Sequence, residues 1–192
     1  VPQSSDLNVL AHHALSEVGQ VLAALDPSAP DRFVEEVTRA GRVAVYGVGR
    51  EGLTMRALAM RLYHAGVHAS VVGDMSAPPL GAGDLLIASA GPGGFSTVNA
   101  LLGVARAAGA RTLLFTAQPG GPAAALADTV VVVPARTMAD DHDGAPPTPG
   151  SLPMGSVYEL SVWLLGDLLI EALVARTGRR PEELSARHTN LE

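Results

Sequence analysis

The chain has no cysteine and no lysine. Without cysteine there is no thiol nucleophile, no disulfide and no thiolate-ligated zinc. All thirteen basic residues are arginine. Schiff-base chemistry, a pyridoxal-phosphate enzyme of the usual kind and a Walker-A ATPase each require an amine, and all three are excluded. A basic surplus is missing as well: the formal net charge is -6, so there is no electrostatic footprint for a nucleic-acid backbone. No segment reads as a signal peptide. The one long apolar run, Val157–Ala175, is interrupted by Glu159, Asp167 and Glu171. Three carboxylates are too costly in a bilayer, so the run reads as a buried helix and no membrane partner is expected. A cytoplasmic location follows by default. Any chemistry rests on carboxylates, histidines, arginines, hydroxyls or backbone dipoles.

What remains is apolar for its size. Of 192 residues 47% are hydrophobic, and the mean hydropathy is +0.25. That length makes one domain, with either a large interior or apolar surface covered by another subunit. Ser5 and Asp6 can cap a helix running to about Leu25, and Pro30 and Asp31 open a second ending near Ala40. Short β-branched runs then appear at Arg42–Tyr46, His68–Val72, Leu85–Ser89, Thr112–Thr116 and Thr129–Val133. Helical stretches fall between most of them, near Glu51–Ala65, Phe95–Ala108 and Pro122–Ala127, while a loop joins the second run to the third. Near-continuous apolar strands alternating with helices predict an α/β fold, a three-layer α-β-α sandwich around a five-stranded parallel, flavodoxin-like sheet. Residues 1–40 form an N-terminal helical extension and 41–192 the main domain. A proline-rich loop over 136–153, a long helix from Gly155 to Arg176 and a short one from Pro181 complete it. Ligands of such sheets bind beyond the carboxyl ends of the strands.

Three glycine-rich or acidic segments fall near such places. Gly47-Val48-Gly49-Arg50-Glu51-Gly52 follows the first strand and opens a helix, which suits a dinucleotide with Asp74 as the ribose acid. It equally suits a sugar ligand close to the strand, or tight strand–helix packing alone. Ala90-Gly91-Pro92-Gly93-Gly94-Phe95-Ser96-Thr97 precedes another helix and is either an anion nest of free N–H groups or a plain turn with a Ser96 or Thr97 cap. Glu159, one turn into the long apolar helix, is either a partner for the helix dipole or a partly buried general base. His188 by itself is a surface histidine. Asp140-Asp141-His142-Asp143 reads as a solvated acidic loop, because consecutive positions rarely converge on a metal.

Read together, four segments resemble the 6-phospho-3-hexuloisomerases of the SIS (sugar isomerase) domain family. Gly47-Val48-Gly49-Arg50-Glu51-Gly52-Leu53 is similar to their G-x-G-R-S-G-L turn, and Ala59-Met60-Arg61-Leu62-Tyr63-His64-Ala65-Gly66 to their A-M-R-L-x-H-x-G helix end. Pro153-Met154-Gly155-Ser156-Val157-Tyr158-Glu159 resembles P-M-G-S-x-F-E, and Ala186-Arg187-His188-Thr189-Asn190-Leu191-Glu192 resembles A-R-H-A-N-L-E. The resemblance implies the SIS fold and interconversion of 3-hexulose 6-phosphate and fructose 6-phosphate through an enediol, with no metal or organic cofactor. It implies Glu159 as the base and His188, from a neighbouring subunit of a homotetramer, as a helper in proton transfer at oxygen. Arg50 would steady the enediolate or a substrate hydroxyl, with Gly49, Glu51, Gly91, Gly93, Gly94, Ser96 and Thr97 around the substrate.

Two departures qualify the substrate. The family's loop S-G-S-G-x-T, whose hydroxyls hold phosphate, reads Ala90, Gly91, Pro92, Gly93, Gly94 and Phe95 here, and Glu51 replaces a serine. A phosphate could still sit on the N–H groups of Gly93 and Gly94 with Ser96 and Thr97. Alternatively the substrate is a non-phosphorylated sugar with hydroxyls bonded to Glu51, or the chain is a non-catalytic sugar-binding module.

Overall fold

The computed structural model describes residues 6–140 and 152–191. Ser5, the acidic stretch Asp141-His142-Asp143, the prolines at 146, 147 and 149, and Glu192 lie outside the described residues. The element order is α1 (Leu7–Ala23), α2 (Ala29–Thr38), β1 (Val43–Tyr46), α3 (Gly49–His64), β2 (Ala69–Val71), β3 (Leu85–Ser89), α4 (Ser96–Ala107), β4 (Arg111–Thr116), β5 (Thr129–Val132), α5 (Ser156–Thr177) and α6 (Pro181–Ser185). The five strands form one parallel sheet in the order β2-β1-β3-β4-β5. β3 lies at its centre and every residue in it is buried.

The alternation of strand side chains divides the core into two. Val43, Val45, Leu85, Ile87, Leu113 and Phe115 point to one face, where α1, α2, α3 and α5 supply the packing. Ala44, Leu86, Ala88 and Leu114 point to the other, which α4 covers through Val98, Leu102 and Ala105. The two layers around the sheet are therefore unequal. α5 is the pillar of the thicker one, since α1, α2 and α3 all pack on it. Residues before β1 join this core directly: Val18, Val21, Phe33, Val34 and Val37 are all buried within it.

One predicted helix is absent. Pro122–Ala127 forms only a single 3-10 turn, Ala124–Leu126. The N–H groups of Leu126 and Ala127 bond to the carbonyls of Ala123 and Ala124, the tighter i−3 pattern. Asp128 then anchors to the backbone and hydroxyl of Thr112, which ends the turn before it can grow.

The turn after β1 explains its glycines by packing. A Cβ at Gly52 would lie 2.6 Å from the carbonyl oxygen of Gly47, and one at Gly47 would lie 2.8 Å from the backbone of Glu51. Strand end and first helical turn are in backbone contact, so nothing larger than glycine fits. Gly52→Ala should therefore lower stability by about 1–3 kcal/mol, the usual cost of overpacking, while the exposed Gly103→Ala, where a Cβ meets nothing within 4 Å, should not. Thermal unfolding of the two variants checks this.

Candidate functional site

The carboxyl ends of β1 and β3 and the first turns of α3 and α5 meet at one edge of the sheet, and two carboxylates sit there in different surroundings. Glu51, on the first turn of α3, points inward and is buried. Its carboxylate reaches the end of β3, where Ser89 donates its hydroxyl to Oε2 at 2.5 Å. The Gly91 N–H donates to both oxygens, at 3.2 and 3.1 Å. Ser89 Oγ lies in turn 3.1 Å from the hydroxyl of Tyr158 on α5. Gly91 is obligatory at this point, because a Cβ would lie 2.8 Å from the Tyr158 ring.

Arg50 precedes Glu51 on the helix and points about 100° away from it. Its Nε lies 2.6 Å from Oε2 of Glu159, with side-chain exposures of 61% for Arg50 and 14% for Glu159. Glu159 is thus partly covered and held by one cation, on the solvent side of Glu51.

Both carboxyl groups are pushed above the ordinary glutamate range. For Glu51 the chief cause is burial; the Ser89 and Gly91 hydrogen bonds pull against it, and the charge of Glu159 adds to the rise. For Glu159 burial again raises the value and Arg50 opposes it. Burial likewise holds the Tyr158 phenol well above its usual value, helped by the charge of Glu51, so at neutral pH Tyr158 is a hydrogen-bonding group and not an anion.

The other residues singled out in the sequence are dispersed around this edge. Gly49 opens α3 with a φ of 59°. In the loop after β3 the Gly93 N–H closes a turn onto the carbonyl of Ala90, and Gly94 lies beside Pro122 and Asn99. Ser96 and Thr97 begin α4 and are exposed, and the N-cap position, Phe95, makes no side-chain cap bond. Asp74 pairs with Arg56 at 3.2 Å.

His188 is not brought to Glu159 within the chain. Its ring stacks on His64 with centroids 5.4 Å apart, and His64 ends the helix whose first turn carries Arg50. At 1.5 Å per residue that separation is about 21 Å. Ser89 and Tyr158 are the participants that sequence reasoning did not single out. Their only signals were a hydroxyl at the end of the central strand and a phenol next to Glu159.

Comparison with known proteins agrees with this architecture. The family model described as the SIS domain matches residues 36–164. The 3-hexulose-6-phosphate isomerase of Mycobacterium gastri is 38% identical over 176 residues, covering 92% of this chain and 86% of its own length. That of Methylomonas aminofaciens is 38% identical over 163 residues, covering 84% and 87%. Among solved structures, a hypothetical protein from Methanococcus jannaschii, for which a function of 3-hexulose-6-phosphate isomerase was inferred, superposes with a TM-score of 0.78 at 24% identity, covering 97% of this chain and 99% of its own. The Vibrio vulnificus NanR protein in complex with ManNAc-6P does so with 0.77 at 24% identity, covering 96% and 68%. The last two show a shared fold.

The direction of the Glu51 shift has a consequence for stability. A carboxyl whose folded pKa is raised binds its proton more tightly in the native state, so its contribution is fully present below the unfolded value. It is lost as pH rises through the folded value. Glu51→Gln removes this titration. The stability of the wild type relative to Glu51→Gln should fall as pH rises above the ordinary glutamate range, read by urea unfolding of both proteins across a pH series.

Proposed function

The chain belongs to the SIS domain family, and from that premise we propose that it is an isomerase moving a carbonyl between adjacent carbons of a hexulose, as its relatives named 3-hexulose-6-phosphate isomerase do. The observation that carries the reading is the Glu159–Arg50 pair at the edge of the sheet. A base must take a proton from the carbon that becomes the new carbonyl and return it to the neighbouring carbon. Glu159 is suited to this transfer, because burial makes it a stronger base than a solvated carboxylate and its partner is a cation that keeps it ionised. The same guanidinium, 61% exposed, lies where it can stabilise the negative oxygen of the enediolate once Glu159 takes up the proton and loses its charge. Gly49 and the loop from Gly91 to Gly94, with Ser96 and Thr97, border the substrate in this reading.

His188 would act at oxygen from a neighbouring subunit. Its place about 21 Å along α3 from its own chain's Arg50 supports that assignment, as does an exposed apolar face on the same two helices. Leu53, Met60 and Tyr63 of α3 and Leu160, Trp163, Leu164 and Leu168 of α5 are each 43–62% exposed, and Met60 and Trp163 line one cleft between the helices. A face of that kind on a single chain fits coverage by further copies, and we extend the proposal to a homotetramer. Among the described residues no helix is long and apolar enough to cross a membrane; a cytoplasmic setting belongs to the same proposal.

Incubation in deuterated water with fructose 6-phosphate, and separately with fructose, should place deuterium on the carbon next to the carbonyl of at least one of them. Glu159→Gln should cut this exchange about a hundredfold or more with the fold intact by circular dichroism; undiminished exchange would remove Glu159 as the base. The double variant Trp163→Asp, Leu164→Asp should sediment at a smaller mass than the wild type and lose activity together with assembly.

A further inference from the structure

The loop between β3 and α4 has the position and backbone of an anion site, and its first three residues are already occupied by the chain itself. It lies at the carboxyl edge of the central strand, directly before a helix twelve residues long with no side chain capping its N-terminus. Backbone N–H groups in such a place attract ligand anions. Here the Gly91 N–H is bonded to the Glu51 carboxylate, together with the hydroxyl of Ser89. The next residue, Pro92, has no N–H, and that of Gly93 is bonded to the Ala90 carbonyl. Residues 91–93 therefore offer a ligand no donor that is not spent within the chain.

A phosphate arriving at residues 91–93 would have to displace Glu51 or lie beside it. Displacement strands a buried carboxylate without its donors. Proximity places two anions together in surroundings that screen poorly. A hydroxyl meets neither penalty, because it can donate to a carboxylate edge.

On the isomerase reading above, we propose that Glu51 is the resident anion of the β3–α4 loop and the residue that sets substrate charge: the sugar end facing this loop bears neutral hydroxyls, and a phosphate dianion is excluded. Glu51 is then a specificity residue, distinct from Glu159, which does the proton transfer.

Calorimetric titration tests this without turnover. Wild type, Glu51→Gln and Glu51→Ser are each titrated with inorganic phosphate, fructose 6-phosphate and fructose. The wild type should show no saturable binding of inorganic phosphate and should bind fructose 6-phosphate no more tightly than fructose. Loss of the carboxylate should shift the ratio of fructose 6-phosphate to fructose affinity toward the phosphate by about tenfold or more, most in Glu51→Ser, where space also opens. A wild type that binds inorganic phosphate, or prefers fructose 6-phosphate by about tenfold, overturns the proposal, as does an unchanged ratio in both variants. If Glu51→Ser does not fold, the isosteric Glu51→Gln and the wild-type preference still decide the matter. Failure here would leave deuterium exchange by Glu159 standing, and absence of exchange would leave the binding preference readable, so the two readings fail separately.

Discussion

A buried carboxylate held by neutral donors organises the functional edge of this protein. Glu51 gives up most of its hydration, and its hydrogen-bond partners, the Ser89 hydroxyl and the Gly91 N–H, carry no compensating charge. Such a group is unfavourable unless its oxygens are satisfied, so its neighbours have little freedom. Position 91 must be glycine, because the Tyr158 ring lies against it. Ser89 must end the central strand with a hydroxyl, and Tyr158 must bring its own within reach of that hydroxyl. The contacts join α3, β3 and α5, the elements that also carry Arg50 and Glu159. Adjacent residues of one helical turn are thus divided: Glu51 ties the turn to the sheet, and Arg50 reaches outward to the second carboxylate.

Most of the fold was legible because its signals are local. Five apolar runs became the five strands within about a residue at either end, since a sheet covered on both faces leaves no polar alternation to blur them. The loop joining the second run to the third was also readable. Pro122–Ala127 failed for a tertiary reason: an alanine-rich stretch has helical propensity, but the pairing of Asp128 with Thr112 draws the chain into β5 after a single 3-10 turn. The site was legible in part. The G-x-G-x-x-G pattern marked the right turn, yet its glycines at 47 and 52 answer to backbone packing. Glu51 stood out as an acid in an unexpected place, but its partners lie 38 and 40 residues along the chain, and no local pattern names them. Two positions at which the chain departs from the motifs it resembles, Glu51 for serine and Tyr158 for phenylalanine, are joined in space through Ser89.

The surroundings of the two carboxylates also decide how their roles divide. A base must present an unshared pair toward the substrate and accept a proton there. Both oxygens of Glu51 already accept hydrogen bonds from the protein, so neither turns a free lone pair toward a substrate. Glu159 has Arg50 on Oε2 and keeps a small part of its side chain open. In the proposed mechanism, Arg50 would lose its counter-charge when Glu159 gains a proton, at the moment an oxyanion forms nearby, and the guanidinium's attraction would pass from enzyme to intermediate. Two groups of one chemical type would in this way be separated into a fixed charge and a mobile proton acceptor by what surrounds them. On the proposed reading the fixed charge lies behind the acceptor and turns away anions of its own sign.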